Sequence, residues 1–128
     1  MQFEHFGINV PDAKAMAAWY VKNCQLKIVR AIPQPSQTHF LADEKGRICI
    51  EIYTNSNAAV PNYLLQHPLC FHFAFEAASP AAMKDKLVAA GATVFEELNL
   101  EDGSCIIMFR DPWGVPFQLC KRASPMIK

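Results

Sequence analysis

The first half of the chain alternates apolar and polar residues in short segments, as half-buried strands do. Residues 3–10 form the first predicted strand. Pro11 and Asp12 then open a helix over residues 13–23, with Asp12 as the cap of its first turn. Three more strands are predicted at residues 26–32, 38–42 and 47–53, and a turn at residues 44–46 joins the last two as a hairpin.

The same order of elements restarts after a connector at residues 54–68, which is rich in Asn, Ser and Pro. Strands are predicted at residues 69–75, 93–97, 104–110 and 115–121. A helix is predicted between them at about 80–90, with Ser79 as its cap, Pro80 as its first residue and Gly91 at its end. The pattern therefore predicts a strand-helix-strand-strand-strand module that occurs twice.

An offset of 67 residues places the second module on the first. His5 then falls on His72, Glu51 falls on Gln118, and the cap Asp12 falls on Ser79. The spacing from His5 to Glu51 is 46 residues, and the spacing from His72 to Gln118 is the same. Identity between the halves is low, so the repeat is indicated by the joint agreement of caps, strands and polar positions.

Strand alternation separates these four polar residues from the apolar side chains of the same strands. The apolar sets, expected to pack beneath the helices, are Phe6, Ile8 and Val10; Ile48, Ile50 and Ile52; Phe71, Phe73 and Phe75; and Val115, Phe117 and Leu119. The opposite face would carry His5, Glu51, His72 and Gln118.

Two imidazoles, a carboxylate and an amide oxygen suit a divalent ion of the first transition row. A half-buried polar face also needs partners, water or a metal, because unpaired burial of such groups is costly. Each of the four residues alone fits an ordinary hydrogen-bonded role, and only their joint placement predicts a metal site. His39 and His67 have no repeat-related partner and are not expected to be ligands.

Composition limits the possible functions. Of the 128 residues, 52% are hydrophobic and 19% charged, with twelve basic and twelve acidic side chains. We expect one domain over residues 1–128, with modules at about 1–58 and 67–128. Balanced charge without a Lys/Arg run gives no reason to expect a nucleic acid or a membrane as partner.

The cysteines and the first residues of the chain indicate the cellular compartment in which the protein is expected. No secretory signal is visible at the start of the chain. The cysteines are odd in number and lack CxxC spacing, so buried free thiols in a reducing, cytoplasmic compartment are expected, with a thiolate metal site as the weaker alternative. They are Cys24, Cys49, Cys70, Cys105 and Cys120.

The doubled module resembles the vicinal oxygen chelate superfamily, which includes glyoxalases, bleomycin resistance proteins and extradiol dioxygenases. The segments that carry the resemblance are FEHFGINVPD, ICIEIYTN, CFHFAFEAASP and DPWGVPFQL. The resemblance implies an α+β fold whose two βαβββ modules form a curved, mostly antiparallel, eight-stranded cup. It also implies a homodimer, a small-molecule substrate and one divalent ion per site (Zn, Ni, Co, Mn or Fe), held by His5, Glu51, His72 and Gln118.

Within that superfamily, residues 51–55 and the start of the chain look most like glyoxalase I. There the metal ligands are His or Gln, Glu, His and Glu, and Asn55 matches an asparagine that holds glutathione. This sequence departs from the pattern at Gln118, where the family has a glutamate able to accept a proton. It also has Asn9 and Pro68 where arginines would bind glutathione, so use of glutathione is not implied.

The resemblance implies a metal-dependent lyase or isomerase that stabilises an enediolate of a small oxygenated substrate. Glu51 would be a metal ligand or the catalytic proton acceptor. The candidate substrate-binding residues are Phe3, Asn9, Tyr53, Asn55 and Trp113. Two alternatives are a non-catalytic small-molecule or antibiotic-binding resistance protein and a ring-cleaving dioxygenase-like enzyme.

Overall fold

The computed structural model describes residues 1–127, apart from the side chains of Ile48 and Cys49. The predictions that Ile48 lies in the apolar set and that Cys49 is a buried thiol therefore lie outside the described residues. The chain divides into two compact units, the first comprising Met1–Pro61 and the second beginning at Asn62. Each unit is described by itself.

The first unit contains four strands and one helix. In chain order these are β1 Phe6–Asn9, α1 Ala13–Cys24, β2 Lys27–Ile32, β3 Thr38–Ala42 and β4 Ile48–Tyr53. The strands form one sheet in the order β1-β4-β3-β2, in which β1 and β4 are parallel and the other pairs are antiparallel. The first and last strands of the unit are therefore neighbours.

Helix α1 begins where the Asp12 side chain accepts a hydrogen bond of 2.9 Å from the Ala15 amide. It ends at Gln25, whose left-handed backbone (φ 59°) stops the helix. The helix packs on β3 and β4. Its buried residues are Ala13, Met16, Ala17 and Tyr20. Beneath it Ile8, Val10, Ile50 and Ile52 are buried as predicted, whereas Phe6 is only half-buried.

The second unit repeats this architecture. Its elements are a short 3-10 helix Tyr63–Leu65, β5 Phe73–Glu76, α2 Pro80–Ala89, β6 Thr93–Asn99, β7 Cys105–Arg110 and β8 Pro116–Lys121. The sheet order is β5-β8-β7-β6, with β5 parallel to β8. The Ser79 hydroxyl caps α2 by accepting from the Ala82 amide at 3.4 Å, and Gly91 (φ 98°) follows the helix.

The predicted repeat is confirmed at the level of single residues. β1 and β5 begin 67 residues apart, as do α1 and α2. Gly7 pairs with Glu51 in the first sheet, and Ala74 pairs with Gln118 in the second. The two caps have the same backbone, at φ −144° and ψ 88° for Asp12 and φ −143° and ψ 88° for Ser79. The α+β class and the doubled βαβββ order are therefore both confirmed.

The two strands predicted to contain the repeat-related histidines are shorter than predicted. β1 begins at Phe6 rather than at residue 3, and β5 begins at Phe73 rather than at residue 69. A turn, in which the Cys70 amide donates to the His67 carbonyl at 2.9 Å, delays β5. Both histidines therefore lie one residue ahead of their strands.

This shift also corrects the prediction for the cysteines. Among the four described cysteines, Cys120 is buried, Cys24 and Cys105 are half-buried, and Cys70 is exposed in the turn before β5. The expectation of buried thiols is thus wrong for Cys70, because the strand expected to cover it starts three residues later. No helix in residues 1–127 is long and apolar enough to cross a membrane.

Candidate metal centre

The first unit brings His5 and Glu51 together. Because β1 and β4 are parallel neighbours in which Gly7 pairs with Glu51, His5 lies only two residues before the partner of Glu51. The His5 Nε2 atom is 3.2 Å from Glu51 Oε2, and the two side chains are 33% and 24% exposed. An imidazole and a carboxylate therefore meet at a half-buried position that solvent can reach.

Gly7 leaves room for the Glu51 side chain. A Cβ atom at residue 7 would lie 3.0 Å from Glu51 Oε2 and 3.0 Å from Tyr53 Cε1. Any larger residue at position 7 would therefore force the Glu51 and Tyr53 side chains to move. Phe40, which pairs with Glu51 across β3 and β4, places its ring edge-on to His5 at a centroid distance of 5.5 Å. The pair therefore lies among aromatic side chains.

The His5 ring lies between two carboxylates, because its Nδ1 atom contacts Glu4 Oε2 while Nε2 faces Glu51. A neutral imidazole has a single N–H and can donate to only one of them. The other nitrogen then faces carboxylate lone pairs, which is unfavourable unless a proton or a metal cation lies between. Two adjacent ligands of one transition metal are about 3.0–3.4 Å apart for bonds near 2.1 Å, so the observed pair fits that role.

In the second unit the residues related by the repeat are His72 and Gln118. The His72 Nδ1 atom is 3.0 Å from the Pro68 carbonyl oxygen. A carbonyl can only accept, so Nδ1 donates in this hydrogen bond, and the neutral tautomer that does so has its lone pair on Nε2. That is the form in which a histidine binds a metal.

Gln118 lies in β8, opposite Ala74 of β5 and Met108 of β7. Its Oε1 atom accepts from the Cys120 thiol, with the sulfur at 3.5 Å. Burial raises the pKa of the Cys120 thiol, which therefore stays protonated and able to donate at neutral pH. The amide is thus oriented by a neighbour on its own strand.

Two of the predicted substrate-binding residues are joined to each other. The Asn9 side chain donates to the carbonyls of Asn55 and Ala58, each at 2.9 Å, and accepts from the Asn55 amide at 2.8 Å. The Asn55 side chain in turn accepts from the Asn57 amide at 3.0 Å. Asn9 therefore holds the loop that follows β4. The sequence contains a signal for this contact, because Asn9 and Asn55 are 46 residues apart, as His5 and Glu51 are.

The other predicted substrate-binding residues differ in their surroundings. Tyr53 is half-buried and lies over Gly7 beside Glu51. Trp113 is half-buried in the turn before β8, where its amide donates to Asp111 Oδ1 at 2.9 Å. Phe3 is 79% exposed. In the first unit the aromatic surroundings of the His5–Glu51 pair are therefore Phe40 and Tyr53.

Arg110 positions the segment that leads to His72, a role that the sequence patterns did not single out. Its guanidinium donates to the carbonyls of Tyr63 and Gln66, each at 2.7 Å, and lies over the Phe95 ring at 5.6 Å. These bonds attach the 3-10 helix to the end of β7. The sequence signal for this role of Arg110 is its place at the end of a buried strand, directly before the DPWG turn.

The residues present in each unit fit one part of a metal ligand set. Among the described residues, no group of three or more His, Cys, Asp and Glu side chains is arranged to hold an ion. The first unit supplies an imidazole nitrogen next to a carboxylate, and the second supplies an imidazole nitrogen with a free lone pair and an amide. Such donors are those that transition metals prefer.

Known proteins share this fold. A glyoxalase-related enzyme from Fulvimarina pelagi is 18% identical, with a TM-score of 0.69 over 94% of this chain and 87% of that one. The structure of SMU.1112c is 24% identical, with a TM-score of 0.71 over 94% and 98%. A lactoylglutathione lyase from Agrobacterium tumefaciens is 21% identical, with a TM-score of 0.67 over 93% and 92%. At these identities the likeness shows the fold alone.

No curated protein matches the chain. A family model does match, over residues 2–119, and its description is the glyoxalase/bleomycin resistance protein/dioxygenase superfamily. The match includes both units and all four repeat-related polar residues. The chain therefore belongs to the glyoxalase/bleomycin resistance protein/dioxygenase superfamily.

Proposed function

We propose that this protein is a divalent-metal-dependent enzyme with lyase or isomerase activity on a small oxygenated substrate. The observation that carries the proposal is the 3.2 Å approach of His5 Nε2 to Glu51 Oε2 on one face of the first sheet. The proposed ligands are His5, Glu51, His72 and Gln118. A bound Zn, Ni, Co, Mn or Fe ion would supply Lewis acidity toward substrate oxygens.

The orientation of both imidazoles supports this ligand set. Each has its Nδ1 atom next to an acceptor, the Glu4 carboxylate for His5 and the Pro68 carbonyl for His72. Metal-binding histidines usually donate their second N–H to such a group, which orients the ring. His39 also has its Nδ1 atom next to a carbonyl, that of Gln37, but it pairs with Ile52 in the sheet, whereas Glu51 pairs with Phe40.

Glu51, if displaced from the ion by substrate, is the proposed proton acceptor in the reaction. It is a carboxylate on the site face of β4, half-buried beside aromatic rings, and its Oε2 atom is close to His5. Gln118, its counterpart, is an amide and cannot accept a proton at neutral pH. A reaction that moves a proton next to a carbonyl would therefore use Glu51.

The proposed substrate-binding surface combines aromatic and amide side chains. Tyr53 and Phe40 flank the His5–Glu51 pair, and the loop of Asn55 is held next to β1 by Asn9. Phe3 and Trp113 complete the proposed set. We further propose that the 128 residues act as one domain of a cytoplasmic homodimer, as the superfamily resemblance implies.

The deciding experiment measures metal content and Zn²⁺ or Co²⁺ affinity of protein purified without an affinity tag. Variants His5→Ala, Glu51→Gln and His72→Ala should each lose the ion. His39→Ala is the matched control, because His39 is also half-buried near a strand end and its Nδ1 atom also contacts a carbonyl, that of Gln37. The control should bind metal as the wild type does.

Two results would overturn the proposal. Wild-type protein that neither carries nor binds a transition metal would exclude metal-dependent catalysis, and the binding-protein alternative would then be favoured. Equal loss of affinity in His39→Ala and His5→Ala would show that the effect comes from general destabilisation rather than from lost ligands.

A further inference from the structure

We infer that Arg30 binds an acidic group of the substrate, so that the site takes small oxygenated molecules that carry a carboxylate or a phosphate away from the reacting centre. The inference rests on the proposed function for the position of that reacting centre. The binding of an anion by Arg30 does not depend on a metal and is measured separately. Arg30 lies in β2, the edge strand of the first sheet.

Arg30 belongs to the same cross-strand row as Glu51. Glu51 of β4 pairs with Phe40 of β3, and Phe40 pairs with Arg30 of β2. Residues directly opposite each other in antiparallel strands share one face of the sheet. The edge-on contact between the rings of Phe40 and His5 identifies this face as that of the His5–Glu51 pair. Arg30 therefore lies on the face of the proposed metal site.

An irregularity in β2 brings Arg30 to this face. Ile28 pairs with Leu41 of β3. The next residue of β3, Phe40, pairs with Arg30, so Val29 is an extra residue between the two pairs. In a regular strand Arg30 would lie on the opposite face, with the buried Leu41 and helix α1. Bulges often re-aim a side chain in this way next to an active site.

The separation along the row indicates the size of the substrate. Neighbouring strands are about 4.8 Å apart, so the backbones at Glu51 and Arg30 are separated by roughly 10 Å. Phe40 lies between them, and Arg30 takes part in none of the ion pairs among the described residues. A molecule with one oxygen group at the His5–Glu51 pair and an acidic group a few carbons away would contact both ends of the row.

The second unit has the same bulge with the opposite charge. The register of β6 shifts between Val94 and Glu96, and Glu96 pairs with Met108, the neighbour of Gln118. Glu96 and Arg30 are both exposed and lie two strands away from the proposed ligand of their sheet. A charge of either sign protects an edge strand from pairing with another chain. Edge protection therefore accounts for a charged residue at this position but not for an arginine.

The charges around His5 disfavour an acidic substrate unless a cation lies nearby. Glu4 and Glu51 contact the two ring nitrogens of His5, so this face of the first unit is negative before an ion binds. Arg30 offsets that repulsion at a distance from the ion. Its planar guanidinium also matches carboxylate and phosphate oxygens with two parallel hydrogen bonds.

The test compares matched probes on Co²⁺-loaded protein by isothermal titration. α-Ketoglutarate and α-ketovalerate differ in the distal carboxylate, and dihydroxyacetone phosphate and dihydroxyacetone differ in the phosphate. We expect the wild type to bind the acidic probe of at least one pair about tenfold more tightly than its counterpart. The pair that shows this preference distinguishes a carboxylate from a phosphate.

Arg30→Ala should abolish the preference and leave the affinity for the probe without the acidic group unchanged. Arg30→Lys should keep part of it, because the charge remains while the paired hydrogen bonds are lost. Lys14→Ala is the matched control, since it removes the same charge from an exposed position on α1, beyond the opposite face of the sheet. No preference in the wild type, or an equal loss in Lys14→Ala, would overturn the inference.

NMR titration of metal-free protein separates this inference from the proposed function. The Nε–H signal of Arg30, identified by its loss in Arg30→Lys, should shift and saturate on addition of α-ketoglutarate or inorganic phosphate. Added KCl should weaken the response, because salt screens the attraction. If the signal responds but the wild type binds no Co²⁺, the inference holds and the metal-dependent function is wrong. If Co²⁺ binds and the signal does not respond, the inference is wrong and the proposed function stands.

Discussion

The two units share a backbone plan but have different side chains at the position of the last strand where the proposed ligand lies. Glu51 pairs with Gly7 in the first sheet, and Gln118 pairs with Ala74 in the second. The carboxylate approaches its histidine to 3.2 Å, whereas the amide oxygen accepts from the Cys120 thiol. The two units therefore have the same strand pairing at this position. The first unit has a negatively charged group there that can accept a proton, and the second has a neutral amide.

The cores beneath the helices differ as well. Ile50 of β4 is 1% exposed and pairs with Phe6, and its repeat-related counterpart Phe117 of β8 is fully buried. Phe117 stacks on Phe109 at 5.2 Å with an interplanar angle of 16°, and on Phe73 at 6.2 Å. The second unit thus uses aromatic stacking where the first uses aliphatic packing. The shared fold tolerates either core.

The largest effect is expected from truncating these two core residues. Phe117→Ala should lower the free energy of unfolding by about 3–5 kcal/mol, and Ile50→Ala by about 2–4 kcal/mol. The larger loss at Phe117 comes from the greater buried area of the ring and from its stacking, which is worth roughly 0.5–1.5 kcal/mol beyond area burial. Urea unfolding measures both values, and Phe117→Leu is the control that keeps the bulk of an apolar side chain without the ring. A Phe117→Leu variant as stable as the wild type would show that stacking contributes nothing here.

The next prediction makes the first unit resemble the second. Glu51→Gln removes the carboxylate charge but keeps the shape of the side chain. Losing a residue that only hydrogen-bonds to a metal ligand lowers affinity by up to roughly 100-fold, so losing the ligand charge itself should lower Zn²⁺ affinity by more. Gln118→Ala should cost less, because a neutral amide is a weak ligand. Isothermal titration of both variants checks the order. A larger loss of Zn²⁺ affinity in Gln118→Ala than in Glu51→Gln would show that the first unit does not supply the stronger ligand.

The repeat, the sheet pairing and the helix caps could be predicted because each depends on local residue patterns that occur twice. Strand ends could not be predicted, since they depend on where the neighbouring strand stops and where a turn intervenes. His5 and His72 therefore precede their strands, and Cys70 is exposed.

The polar contacts of the site were also beyond the sequence pattern. The sequence predicts Asn9 as a substrate-binding residue, and it gives no indication that the Asn9 amide also forms hydrogen bonds with the backbone of the loop after β4. Arg110 binds backbone carbonyls, which residue types do not reveal. Side chain–backbone bonds depend on loop conformation, and a strand pattern carries no information about it. The residue types at the site could be predicted from the sequence, whereas their hydrogen-bond partners could not.

The reciprocal substitution makes the second unit resemble the first. Gln118→Glu adds a negative charge to the proposed ligand set, so Zn²⁺ affinity should rise roughly tenfold after the cost of desolvating the carboxylate. Co²⁺ absorption spectroscopy would show whether the coordination changes along with the affinity. Unchanged affinity and an unchanged spectrum would show that residue 118 does not face the ion.

The smallest effect compares the two helix caps. Asp12 accepts from the Ala15 amide at 2.9 Å, and Ser79 accepts from the Ala82 amide at 3.4 Å. The shorter bond and the negative charge at the positive end of the helix dipole both favour Asp12. Asp12→Ala should therefore cost about 1 kcal/mol and Ser79→Ala about 0.5 kcal/mol in unfolding free energy.

Asp12→Ser is the matched control for the caps, because it gives the first helix the hydroxyl that caps the second. It should recover most of the stability lost in Asp12→Ala, and the remainder measures the contribution of the charge. Raising the ionic strength should shrink that remainder, since salt screens the interaction of a charge with the helix dipole. If Ser79→Ala proved more destabilising than Asp12→Ala, the difference in bond length between the two caps would not determine their strength.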